Sequence, residues 1–498
     1  MSLGLKPYSA YRDSGVEWMG QVPHGWQTSK VKRLAREGHK TFVDGDWIES
    51  PYIASEGIRL IQTGNIGVGV YREQGFRYIS EDTFTAFGCT EFRPNDVLIC
   101  RLGEPVSRAC LAPDLGVRMI TSVDVCILKP REDALAAYIV YAMSSSRYLD
   151  WVNSLVRGST RDRVSRSMLG SFVLPLPPLD EQRFIVRYLD YSDRRIRSHI
   201  RAKLKLIKLL EEQKQATIQH AVTGQIDVRT GEPYPAYKDS GVEWAGKVPE
   251  HWEVRRLRYI TDMRVSNVDK LTSEHEAAIR LCNYVDVYKN ERITDQIEFM
   301  RATASEEETE RFRLSSGDVL ITKDSELWND IGVPALVEYT APDLICGYHL
   351  ALLRPRNALL DGRYLFRAMQ SVAVAYQLHV EANGVTRYGL SHAAIKSVRL
   401  PVPPLPEQAS IAQYLDEATA RFAAAGDQAR REISLLREYR TRLIADVVTG
   451  KLDVREAVAS LPNGADRDED LEEEGVLNED SEAADGAVHE ASLEEVET

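Results

Sequence analysis

Apolar positions fall into two textures that alternate twice along the chain. In the first, four-residue apolar runs with β-branched content, Val97-Leu98-Ile99-Cys100 and Val319-Leu320-Ile321-Thr322, lie between Gly, Pro and Asp punctuation. Runs of this kind predict short strands joined by turns. Tyr138 to Met143 and Tyr364 to Ala375 read as helix among them, so each region is expected to be a compact mixed α/β globule with substantial loops. In the second texture, apolar residues at Ile185, Leu189, Ile196, Ile200, Ile207, Leu210, Ile218 and Ala221 recur mostly at spacings of 3, 4 or 7. Ile411, Leu415, Phe422, Ile433, Leu436, Ile444 and Val447 repeat the pattern, a heptad-like seam present twice. A proline run (Pro175, Pro177, Pro178; Pro401, Pro403, Pro404) forbids helix just before each seam. No proline then intervenes from Asp180 to Val222, nor from Pro406, which suits a first helical turn, to Val448. Gly224 and Gly450 stand where C-terminal caps belong. Each span predicts a helix of about 64 Å at ~1.5 Å per residue.

The two textures repeat because the chain is one unit written twice. PYSAYRDSGVEWMGQVPHGW (Pro7 to Trp26) returns as PYPAYKDSGVEWAGKVPEHW (Pro233 to Trp252), with 14 of 20 positions identical at an offset of 226. LPLPPLDEQRFIVRYLD (Leu174 to Asp190) returns as LPVPPLPEQASIAQYLD (Leu400 to Asp416), 11 of 17 identical at the same offset, and TGQIDVR from Thr223 returns as TGKLDVR from Thr449. Between these anchors the copies diverge, which suits a common scaffold carrying two different reading heads. The expected organisation is therefore globules over 1–178 and 225–404, long helices over 179–224 and 405–450, and an acidic disordered tail over 451–498. Two seams in one chain most simply bury each other. Because the units run head to tail, an antiparallel helix pair with one globule at each end is expected. The tryptophans of the opening box (Trp18, Trp26, Trp244, Trp252) are assigned to structure.

Charge changes the picture only locally. The chain has 498 residues, room for about three domains, and a formal net charge of −13. From Glu456 to Thr498 there are 16 Asp/Glu against the single Arg467, so the remainder sums to +2 and neither demands nor excludes a polyanionic partner. Arg194, Arg195, Arg197, Arg201, Lys203, Lys205 and Lys208 make the first helix basic, either as a solvated face or as a surface for a partner or phosphate. Six cysteines include no CxxC pair, and no apolar run approaches the ~18–20 residues of a membrane span. The opening residues lack the apolar core of a secretory signal, and a cytoplasmic protein is expected.

Catalytic motifs are missing where they would be needed. Gly241 to Val248 matches GxxxxGK but offers Val248 where a hydroxyl must reach magnesium, and the first copy loses the lysine to Gln21. Histidines never form HxH or HExxH spacings; His251, His275 and His349 stand singly and read as surface or core residues. There is no GxSxG elbow and no NPPF- or DPPY-type tetrapeptide. The chain is read as non-enzymatic, without a metal and without a cofactor of its own.

Polar segments that follow or flank the predicted strands supply the candidate binding residues. They are Gln62, Thr63 and Asn65; Arg101; Arg157, Ser159, Thr160, Arg161 and Arg163 ahead of the first proline run; Asn283; Lys323 and Ser325; and Asn383, Thr386, Arg387 and Tyr388 ahead of the second. Arginine forks can read guanine or clamp phosphate, Asn and Gln suit adenine, and hydroxyls fix phosphate register. Their recurrence at matching places in both copies points to contact with DNA.

The doubled YxDSGVEWxGxVPxxW opening, the doubled LPxPPLxEQxxIxxYLD segment and the TG[QK][IL]DVR exits resemble the specificity subunit of type I restriction–modification systems, over residues 1–455. The resemblance implies two target recognition domains, each reading one half of a bipartite, asymmetric sequence in double-stranded DNA. It implies that the long helices, through seam residues such as Ile185, Leu189, Ile196, Ile200, Ile207, Ile411, Leu415, Phe422, Ile433 and Leu436, form a spacer and help dock modification (methyltransferase) subunits. S-adenosylmethionine, ATP and magnesium would then be used by those subunits and by restriction (translocase and endonuclease) subunits, not by this chain. A scaffold that assembles partner proteins without DNA specificity, and a specificity subunit of a methylation-only complex, are the alternatives. The acidic tail lies outside the resemblance.

Overall fold

The structure is a computed structural model that describes residues 5–156, 162–270 and 272–462. Two compact units emerge: one holds the residues up to Lys203 together with those from Arg431, the other Leu204–Arg430. Each contains one mixed α/β globule, half of each long helix, and one copy of the opening box.

The long helices run over Leu179–Val222 and Leu405–Val448, 44 residues each. In the first unit Lys203 pairs with Glu432 at 2.5 Å and Asp193 with Arg440, so the helical stretches run antiparallel. Ile185 and Leu189 join Leu443, Val447 and Val448 in its core; Ile196, Ile200 and Ile433 are buried as well. The second unit repeats this with Ile218, Ala221 and Val222 against Ile411, Ala412 and Leu415. Ile207, Phe422 and Leu436 are only half-buried.

Both helices end as their glycines require. Gly224 and Gly450 have φ of 71° and 72°, the left-handed conformation that caps a helix without steric cost only in glycine. A Cβ on Gly450 would lie 2.3 Å from Pro23 Cδ and 3.1 Å from Trp26 Cη2; on Gly224 it would lie 2.4 Å from Pro249 Cδ and 3.1 Å from Trp252 Cη2. The first box therefore packs on the end of the second helix, and the second box on the end of the first. Trp26 and Trp252 are fully buried at these junctions.

The proline runs begin as strands rather than loops. Val173–Leu176 pairs with Gln27–Lys30, and Arg399–Val402 pairs with Glu253–Arg256, in the same register. Each ribbon closes its globule and delivers the chain to the helix, where one glutamine fixes the joint. Gln182 accepts from Leu135 N at 2.8 Å and donates to the carbonyls of Asp133 and Pro177. Gln408 does the same with Asp361 N, Leu359 and Pro403. A buried amide with its partners made is well accommodated, and an apolar residue there would strand three backbone groups.

The globules share a plan. In the first, a four-stranded sheet is ordered Phe42–Asp44, Val125–Leu128, Val97–Cys100, Ala109–Leu111, beside a three-stranded sheet of Tyr78–Ile79, Ile58–Ile61 and Met119–Thr121. In the second, a five-stranded sheet centred on Val319–Thr322 stands beside Met300–Ala304, Ala277–Cys282 and Leu344–Cys346. Both predicted strands have their expected limits. The predicted helix at Tyr364 to Ala375 is two helices, Gly362–Met369 and Val372–His379, divided at Gln370 and Ser371.

The tail starts later than its charge predicts. Residues 451–462 are folded: Asp453 bridges to Lys6, and Val454, Ala457, Val458 and Leu461 are buried in the first core at spacings that give one helical face. Residues 451–462 are charge-balanced, with Asp453 and Glu456 against Lys451 and Arg455, and these four apolar residues hold them to the core; 463–498 lie outside the described residues. The six cysteines are buried and unpaired. Burial pushes the Cys110 thiol up to about 12 and that of Cys89 up to about 11, which leaves them protonated near neutrality. Among the described residues no helix is long and apolar enough to cross a membrane.

Candidate nucleic-acid interface

Equivalent strands in the two globules end at equivalent backbone junctions. In the first, Arg101 follows the strand Val97–Cys100; its N–H donates to the Asp124 carbonyl at 2.8 Å and its carbonyl accepts from Val164 N at 3.0 Å. In the second, Lys323 follows Val319–Thr322, donates to the His349 carbonyl at 2.8 Å and accepts from Leu390 N at 2.9 Å. Three segments thus meet at each junction: the end of a central strand, the start of its neighbour, and the polar loop that precedes the proline run. Sequence order separates these segments by up to about 65 residues, and only strand pairing brings them together.

At the first junction a groove of ≈ 370 Å³ is lined by Gln62, Thr63 and Asn65, by Gln74, and by Ser122 and Asp124. Asn65 is enclosed at 3 % exposure and shapes the turn: its Nδ2 donates to the carbonyls of Arg72 and Gln74, and its Oδ1 accepts from Gln62 N. Gln62 and Thr63 are half-buried at the mouth. Arg101 is also enclosed, at 5 % exposure, donating to the carbonyls of Val164 and Val123 and pairing with Asp44 at 3.0 Å. Its guanidinium ties strand to loop and offers no edge to a ligand. Arg163 is the accessible cation, about half exposed and held by Asp124 at 2.7 Å. Arg157, Ser159, Thr160 and Arg161 lie outside the described residues.

At the second junction a groove of ≈ 500 Å³ is lined by Asn267, Asp269, Lys270, Lys323, Asp324 and His349, among others. Lys323 Nζ and His349 Nδ1 both contact Asp324, at 2.9 and 2.5 Å. Burial alone would raise the Asp324 carboxyl, but hydrogen bonds from His349 and Lys323 hold it below the usual aspartate range. The polar loop closes back on this point, with Ser325 paired to Tyr388 and Asp324 to Gly389. Ser325 is buried and accepts from Leu327 N, whereas Asn383 and Thr386 are exposed. Tyr388 packs partly on the core. Arg387 is half-buried, and its Nε and Nη2 have no hydrogen-bond partner among the described residues. Asn283 caps the helix Tyr284–Lys289, its N–H donating to Asp286, and its Oδ1 lies against Gly347.

Sequence reading missed Asp124, Gln74, Asp269 and Lys270, and passed over His349. None sits in a motif; each enters through strand register. His349 has a φ of 65°, uncommon for a side-chain-bearing residue, and no linear pattern announces it. Among the described residues no cluster of His, Cys, Asp and Glu could hold a metal ion.

The two junctions share a backbone lattice and differ in almost every side chain upon it. A family model for the type I restriction modification DNA specificity domain matches this chain twice, over residues 51–206 and 249–432. The chain belongs to that family.

Its relatives bear this out along nearly the whole length. This specificity subunit is 20% identical over 445 residues to the specificity subunit of the type I restriction enzyme EcoKI of Escherichia coli K12, covering 87% of this chain and 90% of the relative. The StySPI specificity subunit of Salmonella potsdam gives the same figures. The fold is shared with a chain from a structure of the type I R-M system concerned with complex assembly and conformational transition, at a TM-score of 0.64 and 18% identity, covering 86% of this chain and 98% of that one. It is shared also with the HsdS subunit from Thermoanaerobacter tengcongensis, at 0.53 and 18%, with the same coverage. Two tandem DNA specificity domains make this chain the target-recognition component of a type I restriction–modification system.

Proposed function

We propose that each globule reads one half of a bipartite, asymmetric DNA sequence, and that the two 44-residue helices set the spacing between the halves. The observation that carries this reading is the pair of matched junctions. The same backbone bonds join Arg101 to Asp124 in one unit and Lys323 to His349 in the other, so matched junctions would meet DNA through different side chains, Gln62, Thr63 and Arg163 in one and Lys323 in the other. Identical heads would favour a palindrome; unlike heads favour two unrelated half-sites.

The chain acts here without catalysis or a cofactor of its own, in the cytoplasm. Modification subunits would bring S-adenosylmethionine-dependent methylation, and restriction subunits ATP- and magnesium-dependent translocation and cleavage. Gln62, Thr63 and Arg163 in one unit, and Lys323, Thr386 and Arg387 in the other, are the side chains best placed to meet bases or phosphates. Exchanging residues 30–173 for those of another family member, with methylated sites mapped by sequencing, tests the reading. One half of the modified sequence should change while the other is kept. A change in both halves would refute modular recognition.

A further inference from the structure

In the second unit, the register of Glu253–Arg256 against Arg399–Val402 sets Arg256 directly opposite Arg399. Residues so placed share one face of the ribbon with Cβ atoms about 5 Å apart, and like charges there repel. Both arginines are half-buried, so water screens them incompletely. Among the described residues Arg399 Nη1 reaches only the Gly241 carbonyl, at 3.5 Å, and the Arg256 side chain has no hydrogen bond or ion pair. The same position in the first unit holds Lys30 opposite Val173, without the clash.

The pair opens onto a groove of ≈ 400 Å³ whose lining carries Arg255, Arg256, Arg258 and Arg399 and, among the described residues, no carboxylate. Arg255 pairs with the largely exposed Glu253 just outside it. Arg258 lies over the Tyr259 ring at 4.7 Å. The short helix His392–Ser397 connects this groove to the polar loop at Tyr388 and Gly389, and its exposed His392 and Lys396 share a face. Its first-unit counterpart, Arg166–Ser171, has Gly170 in place of the lysine. Six helical residues span about 9 Å, the axial rise of two to three nucleotides at about 3.4 Å per strand residue.

A cross-strand clash kept in a folded ribbon, beside a groove lined by four arginines, is relieved by a polyanion. We propose that this groove clamps backbone phosphates of duplex DNA two to three nucleotides from the bases met by the loop 383–389. The clamp belongs to the second unit alone, so the two half-sites are gripped unequally. This proposal rests on the DNA-reading function above.

The test is a salt titration of duplex binding by the full-length chain, using fluorescence anisotropy on a short duplex of arbitrary sequence. Each phosphate contact contributes about −0.9 to the slope of log affinity against log salt. R255Q/R256Q/R399Q should make the slope shallower by about 2 to 3, and R256Q alone by about 1. R256Q should also leave the melting temperature of the free chain unchanged or raised, because it removes the clash; a purely structural arginine would lower it. An unchanged slope in both variants, or a lost protein partner with the slope retained, would overturn the clamp. Absence of salt-dependent duplex binding by the unsubstituted chain would instead remove the DNA-reading function.

Discussion

Trp252 donates its indole N–H to Glu407 at 2.7 Å, joining the opening box of the second repeat to the start of the long helix 155 residues later. Arg229 and His251 converge on the same carboxylate, at 2.7 and 3.0 Å. In the first unit Glu181 takes this place and accepts from Tyr8, whose phenol burial and that carboxylate push far up, so that it stays a donor. The glutamate of the repeated EQ pair is therefore the fastener between box and helix. Glu407→Ala leaves the buried indole N–H without its partner, while Arg229 keeps its pair with Asp227, and should cost about 1–3 kcal/mol, read from thermal unfolding.

The helix-end glycines should behave as a matched and separable pair. Gly224→Ala forces a Cβ onto Pro249 in a left-handed backbone, and Gly450→Ala does so onto Pro23. Each should destabilise by about 1–3 kcal/mol. Because the junctions lie in different units, hydrogen exchange should rise in the second unit for the former and in the first for the latter. Equal loosening of both units would contradict this separation.

The two globules are fastened to their helices by different chemistry at one position. Tyr141 donates to Asp190 at 2.6 Å in the first unit. In the second, Arg367, at 2 % side-chain exposure, donates to Asp416 at 2.8 Å, with Arg363 and Arg292 on the same carboxylate. Asp416→Asn leaves a buried cation short of its charge and should cost about 3 kcal/mol, against about 1 for Asp190→Asn. Burial alone would raise the Asp416 carboxyl, but Arg363 and Arg367 hold it below its ordinary value of 3.8. A lowered native value means its stabilisation is complete above the ordinary value and is lost as pH falls through the native one. Acid unfolding below about pH 4 should therefore begin in the second unit and be blunted by Asp416→Asn.

Arg387 offers the sharpest test of base reading. Its Nε and Nη2 form the edge with which Arg280 and Arg354 grip carboxylates elsewhere in this unit, yet here both lack a partner. The edge is enclosed as it stands, and a change of rotamer that turns it outward would match guanine O6 and N7. Arg387→Gln should relax the preference at one base pair of the second half-site by about 1–3 kcal/mol, seen by mapping methylated sites, with the first half-site untouched. Lysine should not restore it, since a point charge lacks the fork.

The sequence by itself determined the duplication, the two helices to within two residues of their observed limits, the central strands and the family. All of these rest on local periodicity, on Pro and Gly punctuation, and on identities repeated 226 residues apart. It could not distinguish Arg101 and Asn65, enclosed and spent on backbone carbonyls, from the half-exposed Arg163. It also gave no sign of Asp124 or His349, or of Arg256 facing Arg399. Those outcomes belong to the tertiary structure, because burial and cross-strand register are properties of paired segments distant along the chain. A side chain's chemistry is legible in one dimension, but its availability is settled only when its neighbours arrive.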